Sequence, residues 1–140
     1  MPLVLEIISP EKLLLSRDVD MVVIPGTEGD IGVLPGHSKL ITGLRGGLVD
    51  IYENNTITDR FFVPGGFAEV TESYCAVLAD GIIRQSDLDP AKAAEAVTAA
   101  QAAYDATDMN NEEAYRLATD RLISAQAMVD SISPQRSDKV

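Results

Sequence analysis

Few side chains in this chain could do chemistry, and they do not form a familiar catalytic set. The sequence contains one histidine, His37, and one cysteine, Cys75. A serine or cysteine nucleophile needs a histidine base, so any such arrangement would have to use His37. That residue follows Pro35-Gly36 in a turn, where a hydrogen-bonded surface or interface histidine is the commoner case. A metal centre would need several histidines, cysteines or clustered carboxylates, so we expect no catalytic site, metal or cofactor.

The densest motif is the segment Ile24–His37, which holds four glycines and two prolines in fourteen residues. So many turn-forming residues exclude a helix and predict two short strands joined by constrained turns. The glycine spacing is superficially that of a dinucleotide-binding loop, but such a loop must begin a helix, whereas this segment continues as a strand edge. The segment is therefore expected to be a rigid surface for a partner and not a phosphate site.

The composition limits the kinds of partner. The 140 residues are 46% hydrophobic and carry a formal net charge of −11, which fits one folded domain with a small appendage. An acidic surface repels phosphates, which argues against binding to nucleic acid or to anionic lipid. No apolar run approaches the roughly 20 residues of a membrane span, and the start of the chain lacks the basic region of a signal or transit peptide. We expect no direct insertion into lipid.

The first part of the chain follows the pattern of a β protein. Residues 1–86 are short apolar runs separated by glycine, proline and asparagine turns, which predicts many short strands. Asn54-Asn55 is expected to form a hairpin turn, because asparagine tolerates positive φ. Cys75 lies in the apolar run Tyr74–Leu78 and is expected to be a buried small hydrophobe. The fold class expected for this part is an antiparallel β-sandwich or barrel.

The second part follows the pattern of helices. Residues 87–140 contain no glycine and are rich in alanine, which favours helix. We predict helices over about 90–105 and about 111–132, the second from apolar residues that recur every three or four positions. The short loop between them predicts an antiparallel two-helix hairpin, followed by a frayed polar tail.

The starts of both helices have capping signals. Asp89 is placed as the N-cap of the first helix, with Pro90 at the first helical position. Asn110, with Glu113 three residues later, is similar to a capping box for the second helix.

Four motifs together resemble the epsilon subunit of bacterial F-type ATP synthases, over the whole chain. They are Pro25-Gly26 with Gly29-Asp30-Ile31-Gly32-Val33-Leu34-Pro35-Gly36-His37, Leu44 with Gly46-Gly47, Phe62–Val70, and Val77–Asp80 followed by Leu88-Asp89. The resemblance implies the same fold, a β-sandwich followed by a helical hairpin. It also implies a non-catalytic subunit on the central stalk of a rotary motor, bound to the gamma subunit and standing on the membrane ring of c subunits.

The resemblance implies partner contacts at the two ends of the Ile24–His37 segment. Asp30 is implied to meet the c ring, where an acidic loop can pair with basic residues; a simple turn carboxylate is the alternative. The gamma-facing region is implied to consist of Leu34, Pro35, Gly36, His37 and Leu40. For its apolar members, burial in the sandwich core is the alternative.

The family also implies a location and further partners. The subunit is peripheral and is expected at the cytoplasmic face of a bacterial inner membrane, as part of the F1 sector, with a processed organellar chain as the alternative. The alpha and beta subunits are implied to be reached through the helices, which in many members can extend and inhibit ATP hydrolysis.

This chain departs from the family pattern in a motif that binds ATP in some relatives, Ile-Asp-x-x-Arg. The corresponding run Leu88–Lys92 keeps Asp89 but ends in Lys92, which cannot form the two-pronged contact of arginine. Ala99 stands where those relatives place another arginine. We therefore expect weak or absent ATP binding and keep an ATP-sensing regulatory module as the alternative function.

A second departure concerns charge. From Asp87 to Val140 the chain has ten acidic and five basic side chains, a net charge of −5. Inhibition in other members relies on basic helices that meet an acidic segment of the beta subunit. Since an acidic hairpin would be repelled there, we expect weak inhibition of ATP hydrolysis.

Overall fold

The structure is a computed structural model that describes residues 2–133. The predicted polar tail lies outside the described residues beyond Ser133. The strands are β1 Leu3–Ile8, β2 Leu13–Val19, β3 Met21–Gly26, β4 Gly29–Val33, β5 Leu40–Leu44, β6 Gly47–Glu53, β7 Thr56–Val63, β8 Gly66–Val70, β9 Tyr74–Leu78 and β10 Ile83–Arg84. A short 3-10 turn at Gln85–Asp87 precedes the helices α1, Pro90–Asp105, and α2, Glu112–Ile132.

The strands form one continuous sheet that folds over into two layers around a common core. The strand order is β10-β7-β6-β3-β5-β8-β9-β1-β2, with β4 paired to β3. The fold-over lies between β3 and β5, where Gly26 pairs with Leu44. The first layer consists of β10, β7, β6, β3 and β4, and the second layer of β5, β8, β9, β1 and β2. Alternate residues point inward: Leu3, Leu5 and Ile7 of β1 are fully buried and share the core with residues of β3 and β6. The expected β-sandwich with a helical hairpin is confirmed.

One strand pair differs from the expectation of a wholly antiparallel sandwich. β1 and β9 pair in parallel, with Val4 opposite Tyr74 and Ile8 opposite Leu78. β1 alternates between buried and half-buried residues, and β9 is apolar throughout; these patterns record which faces are covered and not the direction of the neighbouring strand. Strand direction at this position is therefore set by the chain path through the sandwich.

The structure confirms the predicted hairpin turn at Asn54-Asn55 and the predicted helix cap at Asp89. Asn54 and Asn55 have φ of 55° and 62°, as the β6–β7 hairpin turn requires. The carboxylate of Asp89 accepts hydrogen bonds from the backbone N–H groups of Ala91 (2.9 Å) and Lys92 (3.4 Å). Asp89 is thus the N-cap of α1.

The N-cap of α2 is Asn111, not Asn110. The Asn111 side chain accepts a hydrogen bond from the backbone N–H of Ala114 at 3.1 Å. The backbone N–H of Asn110 is instead bonded to the side chain of Asp108 at 2.9 Å. That bond keeps Asn110 in the preceding turn, so the helix begins one residue later than expected.

The helical hairpin is folded against the first layer of the sandwich. The Ser124 hydroxyl of α2 donates a hydrogen bond to the carbonyl of Pro64 at 2.7 Å. The Gln85 amide donates to the carbonyl of Ile132 at 3.0 Å, where the last turn of α2 lacks internal partners. The first helix, α1, packs on α2 through small buried residues: Ala93, Ala100, Ala118 and Ala125.

The buried thiol of Cys75 makes stability depend on alkaline pH. Burial raises the pKa of this thiol from 9.0 to about 12. Between these values the unfolded chain releases a proton that the folded chain keeps, so the free energy of unfolding falls as pH rises, by up to about 1.4 kcal/mol per pH unit. We expect urea unfolding between pH 8 and 11 to show a steeper loss of stability for the native sequence than for Cys75→Ala. Equal slopes for the two proteins would contradict this account.

Candidate partner-binding surfaces

An apolar surface covers part of the outer face of the second layer. Its members are Leu13, Ile41, Phe67 and Leu78, with the half-buried Ile8 between them. The exposed fractions are 74% for Ile41 and 64% for Phe67, with Leu13 at 52% and Leu78 at 44%. We refer to these five residues as the apolar surface.

The strand register makes the apolar surface continuous. Phe67 of β8 is directly paired with Leu78 of β9. Leu78 is paired in turn with Ile8 of β1, and Ile8 with Leu13 of β2. Side chains of directly paired residues lie on the same face about 5 Å apart, and Ile41 is the diagonal neighbour of Phe67 across the β5–β8 pair. Strands β5, β8, β9, β1 and β2 therefore present one row of apolar side chains.

A continuous apolar row on an exposed face indicates a binding surface for a macromolecule. The equivalent outer face of the first layer is covered by α2, which packs against β6, and Leu48 and Asp50 line the groove between them. Within residues 2–133 the apolar surface has no such cover, as the exposed fractions show. The apolar surface is therefore a candidate docking surface for another protein.

Sequence reasoning did not single out the apolar surface. Its members come from five separate runs, and only the register brings them together. One signal was available, because Leu40-Ile41 and Val77-Leu78 put apolar side chains on both faces of their strands. A strand that is apolar on both faces is buried on both, whether by its own chain or by a partner.

The turn at Leu34–His37 lies near the β8–β9 connection, at the other end of that hairpin from Phe67 and Leu78. Leu34 is 55% exposed, and Pro35 and Gly36 are exposed beside it. Gly36 has φ of 86°, a value that favours glycine, and its N–H donates to the carbonyl of Glu72 at 2.7 Å. This bond anchors the turn to the β8–β9 connection.

The other two residues implied for the gamma-facing region are less exposed. His37 is half-buried, and its Nδ1 lies 2.7 Å from the carbonyl oxygen of Ser38. Leu40 begins β5 opposite Val70 and packs partly against the core. Leu34 is thus exposed and His37 half-buried at this end of the sandwich, while Leu40 packs partly against the core.

Asp30 lies at the start of β4, at the opposite end of that strand from the Leu34–His37 turn. Its carboxylate forms an ion pair with Arg45, with Nη2 to Oδ1 at 2.6 Å. Arg45 also donates from Nη1 to the carbonyl of Gly26 at 2.6 Å. This internal partner was not foreseen from the sequence, because fifteen residues separate the two side chains.

A groove beside Asp30 separates β6 from α2. Its volume is about 850 Å³, and Asp30 and Arg45 line it together with Ile123, Gln126 and Asp130 of α2. Across the described range 2–133 no group of histidine, cysteine or acidic residues is arranged to hold a metal ion.

The residues of the altered ATP motif have ordinary structural roles. The Asp89 carboxylate is occupied by the N-cap of α1, and Lys92 is exposed on the first turn of that helix. Nothing in their geometry distinguishes Asp89 from any other capping aspartate.

The fold defines the class of protein. Residues 2–85 match the family described as ATP synthase, Delta/Epsilon chain, beta-sandwich domain. The ATP synthase epsilon chain of Granulibacter bethesdensis is 46% identical over 127 residues, which cover 91% of this chain and 94% of that one. The epsilon chain of Gluconacetobacter diazotrophicus is 44% identical over 131 residues, with coverage of 94% and 93%. The chain belongs to the ATP synthase epsilon chain family.

Two solved structures share the fold at low sequence identity. A chain in the Euglena gracilis mitochondrial ATP synthase, determined as OSCP/F1/c-ring, has a TM-score of 0.76 at 22% identity, covering 91% of this chain and 79% of its own. A chain in the central stalk/c-ring of the Tetrahymena thermophila mitochondrial ATP synthase has a TM-score of 0.67 at 11% identity, with coverage of 95% and 98%. Neither α1 nor α2, the helices of the described part, has the length and apolarity needed to cross a membrane.

Proposed function

We propose that this chain is a non-catalytic subunit of the ATP synthase central stalk, which couples the gamma subunit to the c ring. Family membership supports the assembly, and the central-stalk and c-ring assemblies of the two structural neighbours support the position within it. The observation that carries the proposal is the apolar surface, because it offers a rigid sheet face for a second protein.

The gamma subunit is the proposed partner of the apolar surface. Burying its four exposed side chains, each roughly half-exposed, would contribute on the order of 4 kcal/mol before the costs of association. Leu34 and His37 are proposed as a second contact with gamma, near the β8–β9 connection, where their turn is held by the Gly36 bond to Glu72. A stalk that transmits torque needs such a preformed interface, since a flexible surface would deform under the torque.

The c ring is the proposed partner of the Asp30 turn. Because Arg45 already pairs with Asp30, a basic residue of the ring would extend an existing ion pair. An exposed contact of this kind contributes at most about 1 kcal/mol, so it orients the subunit more than it holds it.

The proposed location is the cytoplasmic face of a bacterial inner membrane, within the F1 sector and without insertion into lipid. The net charge of −11 supports contact through protein partners and not through anionic headgroups or nucleic acid. The alpha and beta subunits are further proposed partners, reached through α1 and α2.

The assignment to gamma is tested by placing a charge in the apolar surface. We expect Phe67→Glu to weaken binding to the purified gamma subunit at least about 100-fold, because a carboxylate would be buried in an apolar contact. Unfolding by urea should change little, since Phe67 is 64% exposed. The matched control is Leu117→Glu on α2, where the native side chain is 55% exposed. Undiminished gamma binding by Phe67→Glu, measured by calorimetric titration, would refute this docking face.

The alternative of an ATP sensor is tested by direct titration. We expect calorimetry on the full chain to show no saturable ATP binding below about 1 mM, because Asp89 is engaged as a cap and no arginine stands at position 92 or 99. The double variant Lys92→Arg with Ala99→Arg should raise the affinity if the missing arginines are the cause. Micromolar affinity of the native chain would overturn the assignment.

Weak inhibition by the hairpin is tested in the assembled enzyme. We expect a chain that ends after Ser86 to change ATP hydrolysis by less than about twofold, because the net charge of −5 beyond it opposes approach to an acidic segment. A chain that ends after Ser133 keeps both helices and serves as the control, and incorporation of each chain is checked by gel. A rise of about tenfold or more on removal of the hairpin would show strong inhibition.

A further inference from the structure

The segment Arg45–Gly47, which connects β5 to β6, contacts the Asp30 turn with its first residue. The Arg45 guanidinium spans that turn, because it bonds to the carbonyl of Gly26 and to the Asp30 carboxylate, both at 2.6 Å. The backbone N–H of Arg45 donates to the carbonyl of Pro25 at 2.9 Å. One residue therefore holds both ends of the β3–β4 hairpin turn.

The same segment contacts α2 with its second residue. A Cβ added to Gly46 would lie 3.1 Å from the Cα of Ser124 and 3.3 Å from the Cβ of Ala127. The helix backbone thus rests directly on the Gly46 backbone. The neighbouring bond from the Ser124 hydroxyl to the carbonyl of Pro64 holds the helix at that point.

The side chain of Arg45 also faces the groove that α2 closes. Gln126 and Asp130 stand on the helix side of this groove and Asp30 on the sandwich side. Docking of α2 therefore forms the wall of the groove that faces Arg45 and Asp30. If α2 were displaced, the groove that Arg45 lines would lose one of its walls.

We propose that Arg45 is a positioning residue for Asp30, and that the segment Arg45–Gly47 links the position of the Asp30 turn to the docking of α2. Because such a linkage is reciprocal, a partner that holds the Asp30 turn stabilises the docked hairpin, and displacement of the hairpin loosens the turn. The linkage itself is a property of the isolated chain. Only its meaning for the c ring rests on the proposed function.

Hydrogen exchange on the isolated full chain tests the linkage. Gly46→Val adds a side chain against the α2 backbone and should raise exchange in residues 123–132 and also in residues 26–31, each at least about tenfold. Arg45→Gln removes the guanidinium fork and should raise exchange in both ranges in the same way. The amides of β1 and β9, remote from the segment, report that the sandwich is still folded.

Two further variants complete the test. Ser124→Ala removes only the bond to Pro64 and weakens docking without a clash, so it replaces Gly46→Val if that variant does not fold. Arg116→Gln removes an exposed ion pair of α2 with Asp120, 3.5 Å apart, and should leave residues 26–31 unchanged.

The linkage is overturned if displacement of α2 leaves exchange in residues 26–31 at the native level, or if Arg45→Gln leaves residues 123–132 at that level. Since no partner is present, this failure would not affect the assignment to gamma. Conversely, if the native chain did not bind the gamma subunit, the linkage would still stand.

Discussion

The rest of the structure depends on close backbone packing at one end of the sandwich. A Cβ at Gly66 would lie 2.2 Å from the carbonyl oxygen of Leu78, and one at Gly26 would lie 2.7 Å from that of Gly29. Gly46 lies against α2, and Gly47 against Pro25, at comparably short range. A Cβ at Gly66 or Gly26 would force the neighbouring backbone to move, and at Gly46 or Gly47 the neighbour would have to shift slightly; through these contacts the sheet folds over, the helix docks and the Asp30 turn is held.

This packing divides the outer surface of the sandwich between two uses. The first layer is covered by the chain's own helix, so its outward residues Leu48 and Asp50 face α2. The second layer presents the apolar surface, which the described residues leave exposed. Asp30 and the Leu34–His37 turn lie at opposite ends of β4, so one short strand sets the distance between the two proposed contacts.

Local features were predictable wherever a few neighbouring residues decide the conformation. The turn at Asn54-Asn55 and the cap at Asp89 follow from side chains that bond or bend their own backbone. The α2 cap was misplaced by one residue because Asp108 competes for the backbone of Asn110, a contest that residue types alone do not decide. The apolar surface and the Asp30–Arg45 pair were missed because their members are distant in sequence.

The sequence by itself determined the class of fold, since alternating and helical apolar patterns each require a buried face. It also determined the family, through glycine and proline positions that a specific set of turns requires. Only the tertiary structure decided which apolar residues stay exposed, that β1 runs parallel to β9, and that Arg45 connects Asp30 to α2. The physical reason is that register and layer contacts depend on the whole chain path, whereas a residue pattern records only that a face must be covered.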